Sequence, residues 1–187
     1  VGHDQKQHLE LCRDIAQRFN SEFNAIDFLK TPEPLIQKNF SRIMSLKDAT
    51  KKMSKSDPSD LSRINLSDDS ELMISKIKKA KTDSKPMPDI DENLEKRPEA
   101  ENLLGIYSSL SNQSLEKSKK EFSGKNFSEF KENLSSLLIH KISPISKEIK
   151  KLLNDDKYLD NILIEGSKKA NEIASKKIKE MKKLIGF

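Results

Sequence analysis

The chain has one cysteine, one valine, five glycines and no apolar run long enough to cross a membrane. The lone Cys12 excludes an internal disulfide and suits a reducing compartment, with the cytoplasm as default. Without a signal peptide or a membrane-length apolar run, no membrane partner is expected. No His/Cys cluster shows metal-ligand spacing, so no metal site is expected in the chain. Few glycines and a single valine, against abundant Ile, Leu, Lys and Glu, predict a mostly α fold with few strands. What is present suffices for a core. In 187 residues, 34% are hydrophobic and 35% charged, enough for one domain or one domain plus a fragment.

Charge is unevenly spread. Residues 1–139 carry 23 Lys+Arg against 23 Asp+Glu, and residues 140–187 carry 12 lysines against 7 acids, so the whole net charge of +5 lies in the last 48 positions. A basic end of this kind serves a nucleic-acid backbone and simple solubility equally well.

Along the chain, Leu9, Cys12, Ile15, Ala16 and Phe19 recur at helical spacing and predict a helix from about Asp4 to Phe19. Cys12 is expected in the core and His8 packed or capping. Asp4 can cap that helix or accept a hydrogen bond from a ribose hydroxyl at its end, and the residues alone leave both open. Residues 21–39 read as extended or irregular up to Thr31-Pro32-Glu33-Pro34. A short strand is expected over Phe40–Leu46, and a second strand or turn at Arg63–Leu66. Asp68 and Glu71 form a capping-box pattern for a helix to about Lys81, marked by Met73, Ile77 and Ala80.

Pro86, Pro88 and the acidic run from Asp89 to Glu95 read as a loop or linker, with Pro98 in the first turn of the next helix. The expected divisions are therefore 1–67, a connecting helix and linker at 68–98, and a helical domain at 99–187. In the last, Ala100, Leu103, Leu104, Tyr107 and Leu110 share a face. Ser114 caps a short helix to Phe122 that Gly124 stops. A 3.6-residue period runs from Phe127 to Leu152 with a kink expected at Pro144, and a final helix carries Leu159, Ile162, Leu163, Ile173, Ile178, Met181 and Ile185. These apolar residues are expected to be core.

Between the first expected strand and Asp57-Pro58-Ser59-Asp60 stands Lys51-Lys52-Met53-Ser54-Lys55-Ser56. Two ammonium groups three residues apart, on flexible hydroxyl-bearing neighbours, can close around a polyanion such as a triphosphate. Lysine pairs recur elsewhere, at Lys150-Lys151 and Lys168-Lys169 among others, so a pair alone carries nothing. The pentapeptide from Lys52 to Ser56 is different: shuffling this composition yields it in roughly two of a thousand trials. It resembles the signature of class I aminoacyl-tRNA synthetases.

With the other segments added, the chain resembles the C-terminal half of the bacterial tryptophanyl-tRNA synthetases. The resemblance rests on Gly2-His3-Asp4-Gln5 with its following helix, on Arg42-Ile43-Met44-Ser45-Leu46 through Asp57-Pro58, on Asn102-Leu103-Leu104-Gly105-Ile106-Tyr107, and on Gly166-Ser167-Lys168-Lys169-Ala170-Asn171. Tyrosyl relatives do not share this form of the first segment. The implied fold is the C-terminal part of a class I Rossmann-type nucleotide-binding domain followed by an all-helical bundle. The implied activity is ATP-dependent activation of L-tryptophan and its transfer to tRNA(Trp), by a homodimer using Mg2+, with no DNA partner. Carried over by position, Gly2 and Asp4 would meet the ATP ribose, and Gln5 the amino acid's polar groups. Ile43 and Met53 would meet adenine through their backbones, and Lys52, Ser54 and Lys55 the phosphates, with Lys52 and Lys55 catalytic. His3 stands at the variable position of its motif and takes no role.

The family's His-Ile-Gly-His motif and its indole pocket have no counterpart here, so the chain alone is expected to be an incomplete enzyme, a fragment or a separate half. The alternative is a non-catalytic helical tRNA-binding module descended from a synthetase.

Overall fold

The structure, a computed structural model, describes residues 5–35 and 42–187. Among the described residues it is helical: α1 Lys6–Glu22, α2 Ser70–Lys79, α3 Pro98–Ser111, α4 Leu115–Phe122, α5 Phe127–Leu152 and α6 Asp156–Ile185, with 3-10 turns at Asp60–Ser62 and Leu94–Lys96. The chain divides into two compact units, residues 42–151 and residues 1–41 with 152–187.

The unit of residues 42–151 holds the main core. Met73 and Ile77 of α2, Leu103 and Leu104 of α3, Phe122 of α4, and Phe130, Leu134 and Leu138 of α5 are buried together with Leu46 and Met87. The apolar periodicity read along these helices thus marks true core faces, on α5 as far as Leu138; further along it Ile145, expected in the core, is exposed. Tyr107 and Phe130 each meet the Phe122 ring edge-on, with centroids 4.8 Å apart. Helix ends follow local chemistry. Pro98 opens α3, Ser114 Oγ accepts the Lys117 N–H, and Gly124 takes the φ of +70° that ends α4. α5 runs through Pro144 to Leu152.

Two expectations shift. Among residues 42–46 the expected strand is reduced to an isolated antiparallel bridge joining Met44 to Lys52, and of the two alternatives at residues 63–66 the turn forms, starting at Leu66. The residues Phe40 and Ser41 lie outside the description. At α2 the cap is Asp69, whose carboxylate accepts the Leu72 N–H at 2.9 Å. Asp68 instead turns inward to accept from the Asn65 N–H and the Lys76 ammonium.

Residues 83–97 are tied down on all sides. The Arg97 fork donates to both carboxylate oxygens of Asp83 at 2.7 and 2.9 Å, to Glu92 and to the Pro86 carbonyl. Lys119 donates to the Ile90 and Glu92 carbonyls. Burial pulls the Asp83 carboxyl upward, but the hydrogen bonds and charge of Arg97 outweigh it and hold the group below the ordinary carboxylate range. A carboxylate depressed in this way stabilises the fold above its unfolded-state pKa, and the contribution is lost as pH falls through the folded value. Asp83→Asn is expected to cost about 1–3 kcal/mol at pH 7, a difference that shrinks as pH falls through the lowered folded-state value of Asp83, in urea unfolding across pH.

In the other unit, Phe19 of α1 packs against Phe23 and Phe28, with centroids 4.8 and 5.8 Å away. The Asn20 amide pairs with both backbone groups of Leu29, and Arg13 reaches Pro32 and Glu33. Asn24 and Asp27 take the left-handed turns between them, at φ 49° and 53°. The Lys177 ammonium of α6 lies 3.5 Å from the Phe28 ring centroid. Here the expected core fails. Cys12 and His8 are exposed, Ala16 is the one buried residue of α1, and α6 buries none among the described residues. Periodicity identifies an apolar face but says nothing of whether a neighbouring surface covers it.

Candidate functional site

The lysine loop is a short hairpin built on one side of the 42–151 unit. Ser45 and Leu46 are buried, with Leu46 in the core. The Leu46 N–H donates to the Ser62 carbonyl at 2.9 Å, and its carbonyl accepts the Lys81 N–H at 2.8 Å. One residue thus ties the loop's entry to its exit and to the segment after α2. The chain then turns at Asp48, whose carboxylate accepts from the Thr50 hydroxyl at 2.6 Å and the Thr50 N–H at 3.1 Å. These two bonds lead the causes that hold Asp48 below the usual carboxylate range, with Lys51 adding to them and burial opposing.

The return segment pairs with the entry. Ser45 N–H donates to the Lys51 carbonyl at 2.8 Å and Met53 N–H to the Ile43 carbonyl at 3.0 Å, with Met44 facing Lys52. Among the described residues, the Ile43 N–H and Met53 carbonyl have no hydrogen-bond partner. One donor and one acceptor at paired positions can complement an adenine edge. The Ile43 side chain is exposed beside them, while Met53 packs onto the core.

The exit is held by charge. Arg63 donates to the Asp57 carbonyl at 2.9 Å and pairs with Asp60 at 3.1 Å. Asp60 also meets Lys76, which is fully buried and bridges it, at 2.7 Å, to the buried Asp68, at 2.6 Å. The bond to Lys76, followed by that from Asn65, holds the Asp60 carboxyl below its ordinary range. Between these anchors the tip carries Lys52, Ser54, Lys55 and Ser56, with the Ser54 and Ser56 hydroxyls 3.0 Å apart. Lys52 and Lys55 are both exposed. Lys55 makes no hydrogen bond or ion pair among the described residues. A fixed frame with two exposed lysines and hydroxyls at its tip can receive several phosphate oxygens at once.

Ile43, Lys52, Met53, Ser54 and Lys55 therefore come together in one hairpin. Gln5 belongs to the other unit, where it is the exposed N-cap of α1 without a capping bond from its side chain. Gly2 and Asp4 lie outside the described residues. Sequence reasoning missed the residues beneath the loop. Lys76 occupies the apolar stripe of Met73, Ile77 and Ala80 at helical spacing, and a lysine there signals a buried, paired charge. Arg63 and Asn102 gave no comparable signal.

The model of the tRNA synthetases class I (W and Y) family matches residues 1–142, and the chain belongs to that family. More particularly, it is 51% identical over 187 residues to the tryptophan–tRNA ligase of Rickettsia conorii and 48% identical over 187 residues to that of Caulobacter vibrioides. Both alignments cover 100% of this chain, and 56% and 54% of those relatives. The chain thus spans about half the length of the curated relatives it matches. Among solved structures, tryptophanyl-tRNA synthetase from Mycoplasma pneumoniae superposes with a TM-score of 0.85 at 31% identity, over 100% of this chain and 55% of that one. The Campylobacter jejuni enzyme complexed with ADP and tryptophan gives a TM-score of 0.69 at 26% identity, over 100% and 56%. The mostly helical class I fold expected from the sequence holds.

Proposed function

We propose that the chain is the lysine-loop part of a tryptophan–tRNA ligase. The observation that carries this reading is the hairpin of residues 43–55, which presents adenine-complementary backbone groups and two exposed lysines on one anchored frame. In the reaction, a carboxylate oxygen of L-tryptophan attacks the α-phosphorus of ATP. The bond to the β-phosphate's bridging oxygen breaks, and pyrophosphate leaves with the electron pair. The adenylate then passes its acyl group to a terminal ribose hydroxyl of tRNA(Trp), releasing AMP.

Negative charge grows on the departing pyrophosphate, and Lys52 and Lys55 are the groups that meet it, with the Ser54 hydroxyl donating beside them. The Ile43 N–H and Met53 carbonyl hold adenine, Gly2 and Asp4 the ribose, and Gln5 the polar groups of tryptophan. Among the described residues no cluster of three or more His, Cys, Asp or Glu side chains could hold a metal ion. In this reading ATP would bring its own Mg2+, which would supply charge that screens the phosphates beside Lys52 and Lys55.

The domain limits at 67 and 98, a homodimeric state and a cytoplasmic setting belong to the same proposal. No helix among the described residues is long and apolar enough to cross a membrane. The excess lysines of residues 140–187 are assigned to the tRNA backbone. Tryptophan-dependent exchange of pyrophosphate into ATP tests the activation step, and an enzyme inactive with tryptophan contradicts it.

A further inference from the structure

We infer that Asn102 of α3 is a positioning residue for the adenine nucleotide, an inference that rests on the ligase reading. Asn102 is 3% exposed, so it touches no substrate. Its amide grips a single residue of the loop's entry segment by both backbone groups: Oδ1 accepts the Met44 N–H at 3.0 Å, and Nδ2 donates to the Met44 carbonyl at 2.9 Å. This is the pairing a neighbouring strand would supply, and among the described residues the entry segment has no such neighbour on that side.

Asparagine is a poor helix former, and its buried amide is costly unless both ends are bonded. Both ends are used here, and on the loop. Asn102 is carried by a helix whose Leu103 and Leu104 are 1% and 0% exposed, so the anchor is rigid. Met44 in turn lies opposite Lys52, and its neighbour Ile43 bonds Met53. The clamp therefore sets the depth of the hairpin against the helical core, one residue from the groups assigned to adenine and directly behind a phosphate lysine. Removing it leaves the two Met44 groups unpaired and lets the Ile43–Met53 pair drift, while no bond to the amino acid is touched.

The test is tryptophan-dependent ATP–pyrophosphate exchange by the full-length ligase, comparing wild type, Asn102→Ala and Leu138→Ala. Leu138 is 3% exposed on α5 in the same core and makes no bond to the loop. Asn102→Ala is expected to raise the KM for ATP about tenfold while leaving the KM for tryptophan within about twofold. Leu138→Ala is expected to lower the melting temperature without moving either KM. Should Asn102→Ala melt below the assay temperature, Asn102→Ser, whose short hydroxyl cannot span both Met44 groups, carries the same expectation. An unchanged KM for ATP overturns the inference alone, as does an equal rise in Leu138→Ala or a parallel rise in the KM for tryptophan. No exchange by the wild type removes the ligase reading and this inference with it.

Discussion

Lys55→Ala is expected to lower the rate of ATP–pyrophosphate exchange by about a hundredfold or more, the usual scale for deleting one group aimed at developing charge. The melting temperature should stay within about 1 °C, because an exposed side chain without a partner contributes almost nothing to stability. Lys55 is exposed and makes no hydrogen bond or ion pair among the described residues. Its charge is therefore poorly used in the free protein and is fully used once phosphates displace water around it. Because the charge it meets grows as pyrophosphate departs, its loss appears in kcat more than in KM. Lys55→Arg keeps the charge but replaces a compact ammonium by a planar fork, so it should recover only part of the rate. A loss smaller than about fivefold in Lys55→Ala, read by steady-state exchange kinetics, would remove Lys55 from the reaction.

Lys76→Ala should behave in the opposite way, lowering stability rather than slowing the chemistry. Lys76 is fully buried, and its ammonium lies 2.6 Å from Asp68, itself 5% exposed, and 2.7 Å from Asp60. Deleting one member of a buried ion pair leaves the other charge uncompensated, at a cost of about 3–5 kcal/mol. The expected fall in melting temperature is on the order of 10 °C. Asp68 has further bonds that only a carboxylate supplies, from the Asn65 N–H at 2.9 Å and the Asn65 side-chain amide at 3.2 Å. Lys76→Met/Asp68→Leu is thus expected to recover part of the loss and not all of it. Calorimetry on the single and double variants decides. A single variant that melts with wild type would show that the ion pair is dispensable.

The helices around these residues were legible because local signals and packing agree there. Pro98, Ser114 and Gly124 each act within one turn, and the stripes on α2, on α3 and on α5 from Phe130 to Leu138 are buried as their spacing requires. The cap of α2 was misread by one residue because adjacent aspartates fit an N-cap equally well. The choice fell to Asp69 because tertiary packing gives Asp68 to Lys76. Cys12 and the apolar residues of α6 were misread because amphipathicity does not specify a covering surface.

At the candidate site the tip was readable and its supports were not. Lys52 and Lys55 stand in a motif whose spacing is itself chemical information. Asn102 acts on Met44 across 58 positions of sequence, and Lys76 on Asp60 across the 3-10 turn and the start of α2. No local pattern carries either pairing. Lys76 alone left a trace, as a charge on an apolar stripe.

The measurement that bears most directly on the central claim is pyrophosphate exchange into ATP by the full-length ligase, with tryptophan and with tyrosine supplied separately. Exchange that requires tryptophan, is not supported by tyrosine and falls about a hundredfold in Lys55→Ala is the predicted result. Exchange supported by tyrosine would contradict the assigned amino acid. No exchange with either would leave the chain a tRNA-binding module whose lysine loop performs no activation.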